Sequence, residues 1–562
     1  MRILVTISGV MAILFSMCCF ILPSHVCAQS LSDQVDELLR GRIEVAGVPP
    51  KIEVIDELIH SSNVLPLFYE RRAYRPAWSG DSGPLSRIDD LIKAIGQADR
   101  EGLRPADYHL ARLQTTLEEI RQNQKKRLPL NPHRLADLDL LATDAFLILG
   151  SHYLAGRINP ETIDPEWVAN RRETDLAVVL QKALDANHIK AALEDLLPQQ
   201  PGYGRLKEAL LKYRDLSARG GWPSVPDGPK LQKGDRGLRV ALLRSRLVSE
   251  GVLRQGESVE AELFDNLLDE AVRQFQQRHG LDTDGVVGPA TLGALNVSAQ
   301  ERVRQIEVNM ERWRWLPQEL GQQYILVNIA NFELDVVEDG QPILVMKVVV
   351  GMDYRRTPVF SDKMTYLVLS PCWNVPPSIA VEDKLPLIRK DPGYLAKQNM
   401  KLIGGGGSET KEIDPMTVDW SKVTAESFNY RLRQAPGPWN ALGRVKFMFP
   451  NKFNVYLHDT PSRELFAKPE RTFSSGCIRL EKPIELAQYL LREDPKWSPE
   501  NILAAIDKRV EQTVQLPKKV PVHLLYWTAW VTEDGAAHFR KDIYGRDKLV
   551  AAALAEKPPI AD

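Results

Sequence analysis

Three features of the sequence predict a multidomain α+β protein. Its 562 residues exceed what one core supports at about 100–200 residues per domain. From Leu31 to about Val225, apolar residues recur at the three-and-four spacing of helices. After Pro317 the period drops to two, the spacing of half-buried strands. Hydrophobic residues make up 44% and charged residues 26%, ordinary for a globular chain. Seventy-two Lys and Arg against 74 Asp and Glu give a net charge of −2. With no basic stripe, nucleic acid is not an expected partner.

The first element is "MRILVTISGVMAILFSMCCFILPSHVCAQS". Arg2 precedes an apolar run from Ile3 to Leu22, and small residues end it at Ala28. Residues 1–28 read as a secretory signal, and a run of this length also reads as an uncleaved membrane anchor. Both readings export the chain, and no later segment reads as a span. Of five cysteines, Cys18, Cys19 and Cys27 lie in this segment. Only Cys372 and Cys477 remain, so a disulfide framework is excluded, although a single Cys372–Cys477 bridge stays open.

Residues 29–225 read as a helical scaffold. In "RLADLDLLATDAFLILGSHYLAGRINP", Leu138, Leu141, Ala142, Ala145, Phe146 and Leu149 share a stripe, and Gly156 and Pro160 stop the helix. "FYERRAYRPAW" and "EGLRPADYH" read as loop packing with snorkelling arginines. "GWPSVPDGPK", Gly221 to Lys230, reads as a linker. Residues 228–297 read as three short helices, marked by Leu238, Leu242 and Leu243, by Leu268, Ala271, Val272 and Phe275, and by Pro289 after the Asp284-Gly285 turn. Residues 298–322 read as a helical linker carrying Trp313 and Trp315.

Residues 323–515 then read as a mostly-β domain, with a hairpin turn at Asp339-Gly340 and strands in "KMTYLVLSPCW" and "RVKFMFPNKFNVYLHD". Within it, residues 376–440 are rich in Pro and Gly and include "IGGGG" from Ile403. They read as an inserted lid with a mobile tip. Residues 516–562 read as a C-terminal extension.

The chemistry concentrates in "LHDTPSRELFAKPERTFSSGCIRL". In "FNVYLHD", Phe453, Val455 and Leu457 point to one face, and Asn454, Tyr456 and His458 to the other. His458 thus ends a strand, which Pro461 terminates. Cys477 follows Gly476, which permits a tight turn whose backbone N–H groups face a cleft. The next helix, from Pro483, shows a stripe of Ile484, Ala487, Tyr489 and Leu491. A thiol beside an imidazole becomes a nucleophile, and the Gly476 and Cys477 N–H groups suit an oxyanion. Metal needs three or four ligands, and this stretch supplies no paired spacing.

"HDTP…FSSGCIRL" resembles the active-site motif of L,D-transpeptidases, the family with a YkuD-type catalytic domain. The common form is a His, then Ser-His-Gly-Cys-x-Asn. This chain keeps His458, Ser474, Gly476 and Cys477, and departs at Ser475 and Arg479. Gly234-Asp235, Ala271-Val272 with Phe275-Gln276, and "DGVVGPAT" resemble a peptidoglycan-binding domain. "NMERWRWLP", "PCWNVPPSI", "FPNKFNVYLHDTP" and "VHLLYWTAWV…HFRKDIYGRD" resemble the large YcbB-like branch.

The resemblance implies an acyltransferase that cross-links the third residues of peptidoglycan stem peptides through a cysteinyl thioester, releasing D-Ala from a tetrapeptide donor. Cys477 would be the nucleophile and His458 the base, oriented by the Asp459 carbonyl. Gly476, Ser475 and Tyr456 would serve the oxyanion or its setting. Trp373, Asn374 and Arg479 would contact substrate, with a structural salt bridge as the other reading of Arg479. Stem peptides and glycan are the implied partners, other wall synthases the candidate protein partners. The implied location is the periplasm or cell envelope, anchored or free. No metal or organic cofactor is implied, and carbapenems are the implied inhibitors. An L,D-carboxypeptidase at the same site and a non-catalytic wall-binding scaffold are the alternatives.

Overall fold

The computed structural model describes residues 29–47, 51–168, 171–254, 256, 260–404 and 411–557. The signal or anchor expected at 1–28 lies outside them. The scaffold is built round the helix Pro132–Ala155, which Asn131 caps and Gly156, at φ 80°, ends. This helix is buried on nearly all sides rather than along one stripe. It is long and apolar enough to cross a membrane, contrary to the sequence expectation, yet 89% of its apolar window lies inside the protein. Its buried carboxylates are hydrogen-bonded, as burial demands. Asp139 accepts from Ala77 N, Ser79 Oγ and Tyr69 Oη, and Asp144 from Ser61 N and Oγ. Tyr69, Trp78 and Tyr108, from the two aromatic and basic stretches, are fully buried against this core, so those stretches are packing elements.

The Pro/Gly linker is pinned in place. Val225 is buried in the next core and exchanges two hydrogen bonds of 2.9 Å with Asn296. Helices Leu238–Glu250, Asn266–Arg278 and Pro289–Leu295 form that unit. Leu238 is 69% exposed, and Val240, Leu243 and Leu247 make the buried face instead.

The helix Ala299–Arg314 is no simple linker. Trp313 belongs to the scaffold core and stacks on Trp527 at 4.5 Å, whereas Trp315 belongs to the core of the mostly-β half and meets Trp167 edge-on at 5.0 Å. Each contact contributes about 1 kcal/mol beyond its buried area.

The mostly-β half is a nine-stranded sheet. Its strands are β1 Gln323–Asn328, β2 Glu333–Glu338, β3 Gln341–Gly351, β4 Phe360–Leu369, β5 Val445–Met448, β6 Leu457–His458, β7 Thr472–Ser474, β8 Ile478–Leu480 and β9 Gln512–Leu525. The order is β7-β3-β8-β6-β5-β4-β9-β1-β2, and β2 also pairs with β3, which closes the sheet on itself. The expected boundary at 515/516 falls inside β9, an interior strand, so this sheet runs to Leu525. The helix Pro483–Leu491 packs through Leu486, Ala487, Leu490 and Leu491, while Ile484 and Tyr489 are only partly buried.

The insertion begins at Trp373, three residues before the expected boundary. Strands Trp373–Asn374, Met400–Gly404, Lys411–Ile413 and Arg431–Gln434 form a separate four-stranded sheet. Leu385, Ile388, Leu402, Trp420 and Leu432 give it a core of its own, so it is a folded subdomain. The glycine tip expected to be mobile falls at 405–407, outside the described residues.

Candidate active site

Register brings the site together. His458 on β6 pairs with Lys446 on β5 and with Arg479 on β8, so three basic side chains meet across neighbouring strands. The upstream strand is shorter than the alternation suggests: only Leu457 and His458 are laddered, and Asn454 turns at φ 54°. Cys477 sits half-buried immediately before β8. Gly476 holds φ 108°, a conformation that disfavours any side chain. Ser474 Oγ donates to the Cys477 carbonyl at 2.5 Å and accepts the Gly476 N–H at 3.2 Å. Thr357 Oγ1 donates to the Gly476 carbonyl at 2.9 Å. The Gly476 N–H is therefore engaged within the turn, contrary to the oxyanion role expected for it.

His458 is 5% exposed. Its Nδ1 donates to the Asp459 carbonyl at 2.6 Å, which leaves the Nε2 lone pair free of any partner among the described residues. Burial, then the charges of Arg479 and Lys446, push its pKa down to about 3. The imidazole is therefore neutral at physiological pH, as a proton acceptor must be. Burial pushes the Cys477 thiol up, while Tyr456, through its main-chain N–H and its hydroxyl, favours the thiolate together with Lys446 and Arg479. Lys446 Nζ lies 3.9 Å from the Tyr456 ring centroid, and burial lowers its own pKa.

The Asp459 side chain points away from the imidazole, accepting from Arg444 N at 2.8 Å and Nε at 3.3 Å. Gly443 makes room for it. A Cβ there would lie 2.4 Å from Asp459 Cγ, and the residue holds φ 63°. Ser475 also takes a different role from the expected one. Its Oγ accepts from Arg355 Nη1 at 3.0 Å, and the same guanidinium grips Asp383 bidentately at 2.6 and 2.9 Å and Glu382 at 2.6 Å. Ser475 thus connects the turn that carries Cys477 to the insertion. Sequence reading missed Arg355, Gly443 and Lys446; for Gly443, a glycine directly before a strand was the available signal.

These residues surround a cavity of about 580 Å³ lined by Cys477, His458, Tyr456, Trp373, Ser475 and Arg479, among others. Asn374 is not on its wall: it is exposed and pairs with Arg433 in the insertion's sheet. Arg479 reaches only the Phe473 carbonyl, at 3.4 Å, and has no carboxylate within 4 Å among the described residues, so the structural salt bridge is not formed. Cys372 and Cys477 are both free thiols. Cys372 is half-buried, with Arg433 Nη2 3.1 Å from its sulfur. Among the described residues no group of three or more His, Cys, Asp or Glu could hold a metal ion.

Comparison with known proteins gives the class. Residues 322–508 match the model of the L,D-transpeptidase catalytic domain, residues 236–295 that of a "Putative peptidoglycan binding domain", and residues 63–210 that of a scaffold domain. The chain therefore carries a YkuD-type L,D-transpeptidase catalytic domain together with a peptidoglycan-binding domain, in the multidomain α+β arrangement expected. A Haemophilus influenzae protein named "Putative L,D-transpeptidase" is 36% identical over 250 residues, 44% of this chain and 49% of that protein. The chain thus spans about half the length of that relative. The N-acetylmuramoyl-L-alanine amidase CwlM of Mycobacterium tuberculosis is 45% identical over 80 residues, 13% of this chain and 20% of its own. A solved L,D-transpeptidase from Xylanimonas cellulosilytica aligns over 53% of this chain and all of its own, at 15% identity and a TM-score of 0.16.

Proposed function

We propose that the protein is a cysteine-dependent L,D-transpeptidase that joins the third residues of two peptidoglycan stems. The observation that carries this reading is the neutral His458, fixed through Nδ1 and open at Nε2, in one cavity with the Cys477 thiol. Nε2 takes the thiol proton as sulfur attacks the carbonyl between the third residue and the terminal D-Ala. The Cys477 N–H and the Tyr456 hydroxyl hold the oxyanion. The imidazolium protonates the departing D-Ala amine, leaving a thioester. Its neutral form then deprotonates the acceptor's side-chain amine, which displaces the thiolate and completes the cross-link.

Trp373 walls the cleft, and carbapenems acylate the same sulfur. The substrate places the protein in the periplasm or cell envelope, where the peptidoglycan-binding domain engages the wall and other wall synthases are partners. The test is incubation of purified protein with disaccharide-tetrapeptide, followed by mass spectrometry. A dimer lacking one D-Ala is expected. Tripeptide monomer alone would assign the thioester to water and make the enzyme an L,D-carboxypeptidase. Neither product would leave a non-catalytic scaffold.

A further inference from the structure

The charged groups on the cavity wall are unevenly committed. Arg355 and Asp383 neutralise one another across the rim. His458 is uncharged at neutral pH. Two cations remain with no carboxylate within 4 Å among the described residues: Arg479 beside the nucleophile, and Lys384 from the insertion. Lys384 Nζ donates to Tyr394 Oη at 3.2 Å, which leaves two of its three N–H donors, and it lies 5.9 Å from the Trp373 ring centroid.

Local backbone explains why this lysine faces the cavity. Ala380–Lys384 is a single π turn within an otherwise α-helical stretch, an irregularity common at functional sites. It brings three consecutive side chains to the rim: Glu382 and Asp383 meet Arg355, and Lys384 turns inward. Arg355 is tied in turn to Ser475, two residues from Cys477. The lysine's position is thereby referenced to the nucleophile, although it belongs to a separately folded subdomain.

We infer that Lys384 binds a carboxylate of the donor stem peptide, which makes the insertion a specificity element for the acidic donor. This rests on the transpeptidase reading, since that donor carries three candidate groups: the terminal D-Ala carboxylate, the side-chain carboxylate of its third residue and the free α-carboxylate of its second. Each suits an ammonium beside an aromatic wall. Arg355 is a positioning residue here, because it touches the lysine's segment and the nucleophile's turn rather than substrate.

The test uses the full chain with Cys477→Ala, so that no turnover intervenes, and titrates disaccharide-tetrapeptide calorimetrically. Lys384→Gln is expected to weaken Kd about 20-fold, the range of a charged hydrogen bond, and Lys384→Arg by less than about threefold. Donors amidated at the D-Ala, at the third-residue or at the second-residue carboxylate are titrated in parallel. Amidating the recognised carboxylate reproduces the 20-fold loss with Lys384 present and causes no further loss in the Lys384→Gln variant, which identifies the group. An equal effect of Lys384→Gln on every donor, no effect on any, or no binding of the unmodified donor overturns the inference. D-Ala release by the protein with Cys477 intact reports separately on the transpeptidase reading: release without charge-dependent binding sinks only the role of Lys384.

Discussion

Cys372 and Cys477 are the two thiols of the described residues: Cys477 directly precedes β8, and Cys372 directly precedes the insertion's first strand, Trp373–Asn374. Both are half-buried, and burial raises both pKa values. Acidity therefore does not distinguish them. Their neighbours do. Cys372 has the Arg433 guanidinium at its sulfur and the Glu511 carboxylate on its N–H. Cys477 shares its cavity with a neutral imidazole and stands on a glycine turn. On the transpeptidase reading, an adjacent base and a shaped turn, not a thiol acidic on its own account, fit Cys477 rather than Cys372 to act as the nucleophile.

The two thiols are expected to differ most when the sulfur itself is removed. Cys477→Ala is expected to lower D-Ala release by about 10⁴-fold or more and to abolish carbapenem mass addition, whereas Cys372→Ser changes either by less than about twofold. Intact-protein mass spectra decide it, and an adduct persisting on the alanine variant reverses the assignment. His458→Gln comes next, with a loss of about 10²–10⁴-fold in acylation and little change in peptide affinity. A variant that acylates at the normal rate would show that the base lies elsewhere.

Much of this pair was legible because it is local. His458 and Cys477 are 19 positions apart and carry the motif. The other contributors reach the cavity through tertiary pairing: Arg355 meets Ser475 across 120 positions. No local pattern marks such a contact. For the same reason Gly476 and Ser475 were placed in the turn correctly as positions, but their hydrogen bonds were not foreseeable. The helical, three-helix and β portions followed from period alone, whereas the boundaries at 376 and 515 failed because short strands such as Trp373–Asn374 and the far end of β9 lack a long enough pattern.

pH sharpens the contrast. With the Cys477 thiol raised and His458 neutral down to about pH 3, alkylation of Cys477 by iodoacetamide is expected to climb continuously from about pH 6 to 9. A plateau below about pH 6, followed by peptide mapping, would indicate a thiolate–imidazolium pair instead. The histidine also bears on stability. The unfolded chain protonates it below about pH 6.5 and the folded chain only near 3, so between those values stability drops as pH drops. His458→Gln should flatten that part of the acid-unfolding profile. The smallest effect is expected from Gly443→Ala, which forces Asp459 to shift. It should lower acylation about tenfold and stability by about 2 kcal/mol, measured by thermal unfolding.

The place of β9 has a consequence in time. It lies between β4 and β1, the two edges that it joins, yet it is the last of the nine strands along the chain. A chain emerging from its N-terminus makes His458 and Cys477 well before it makes the strand that closes their sheet. Until Leu525 has emerged, β1 and β2 reach the strands bearing the site only through the β2–β3 pairing, and the long-range pairing that closes the sheet between β4 and β1 must wait. The closed sheet is thus completed only when β9 emerges, and a chain cut short before it carries His458 and Cys477 on the directly paired β6 and β8 of a sheet left open between β4 and β1.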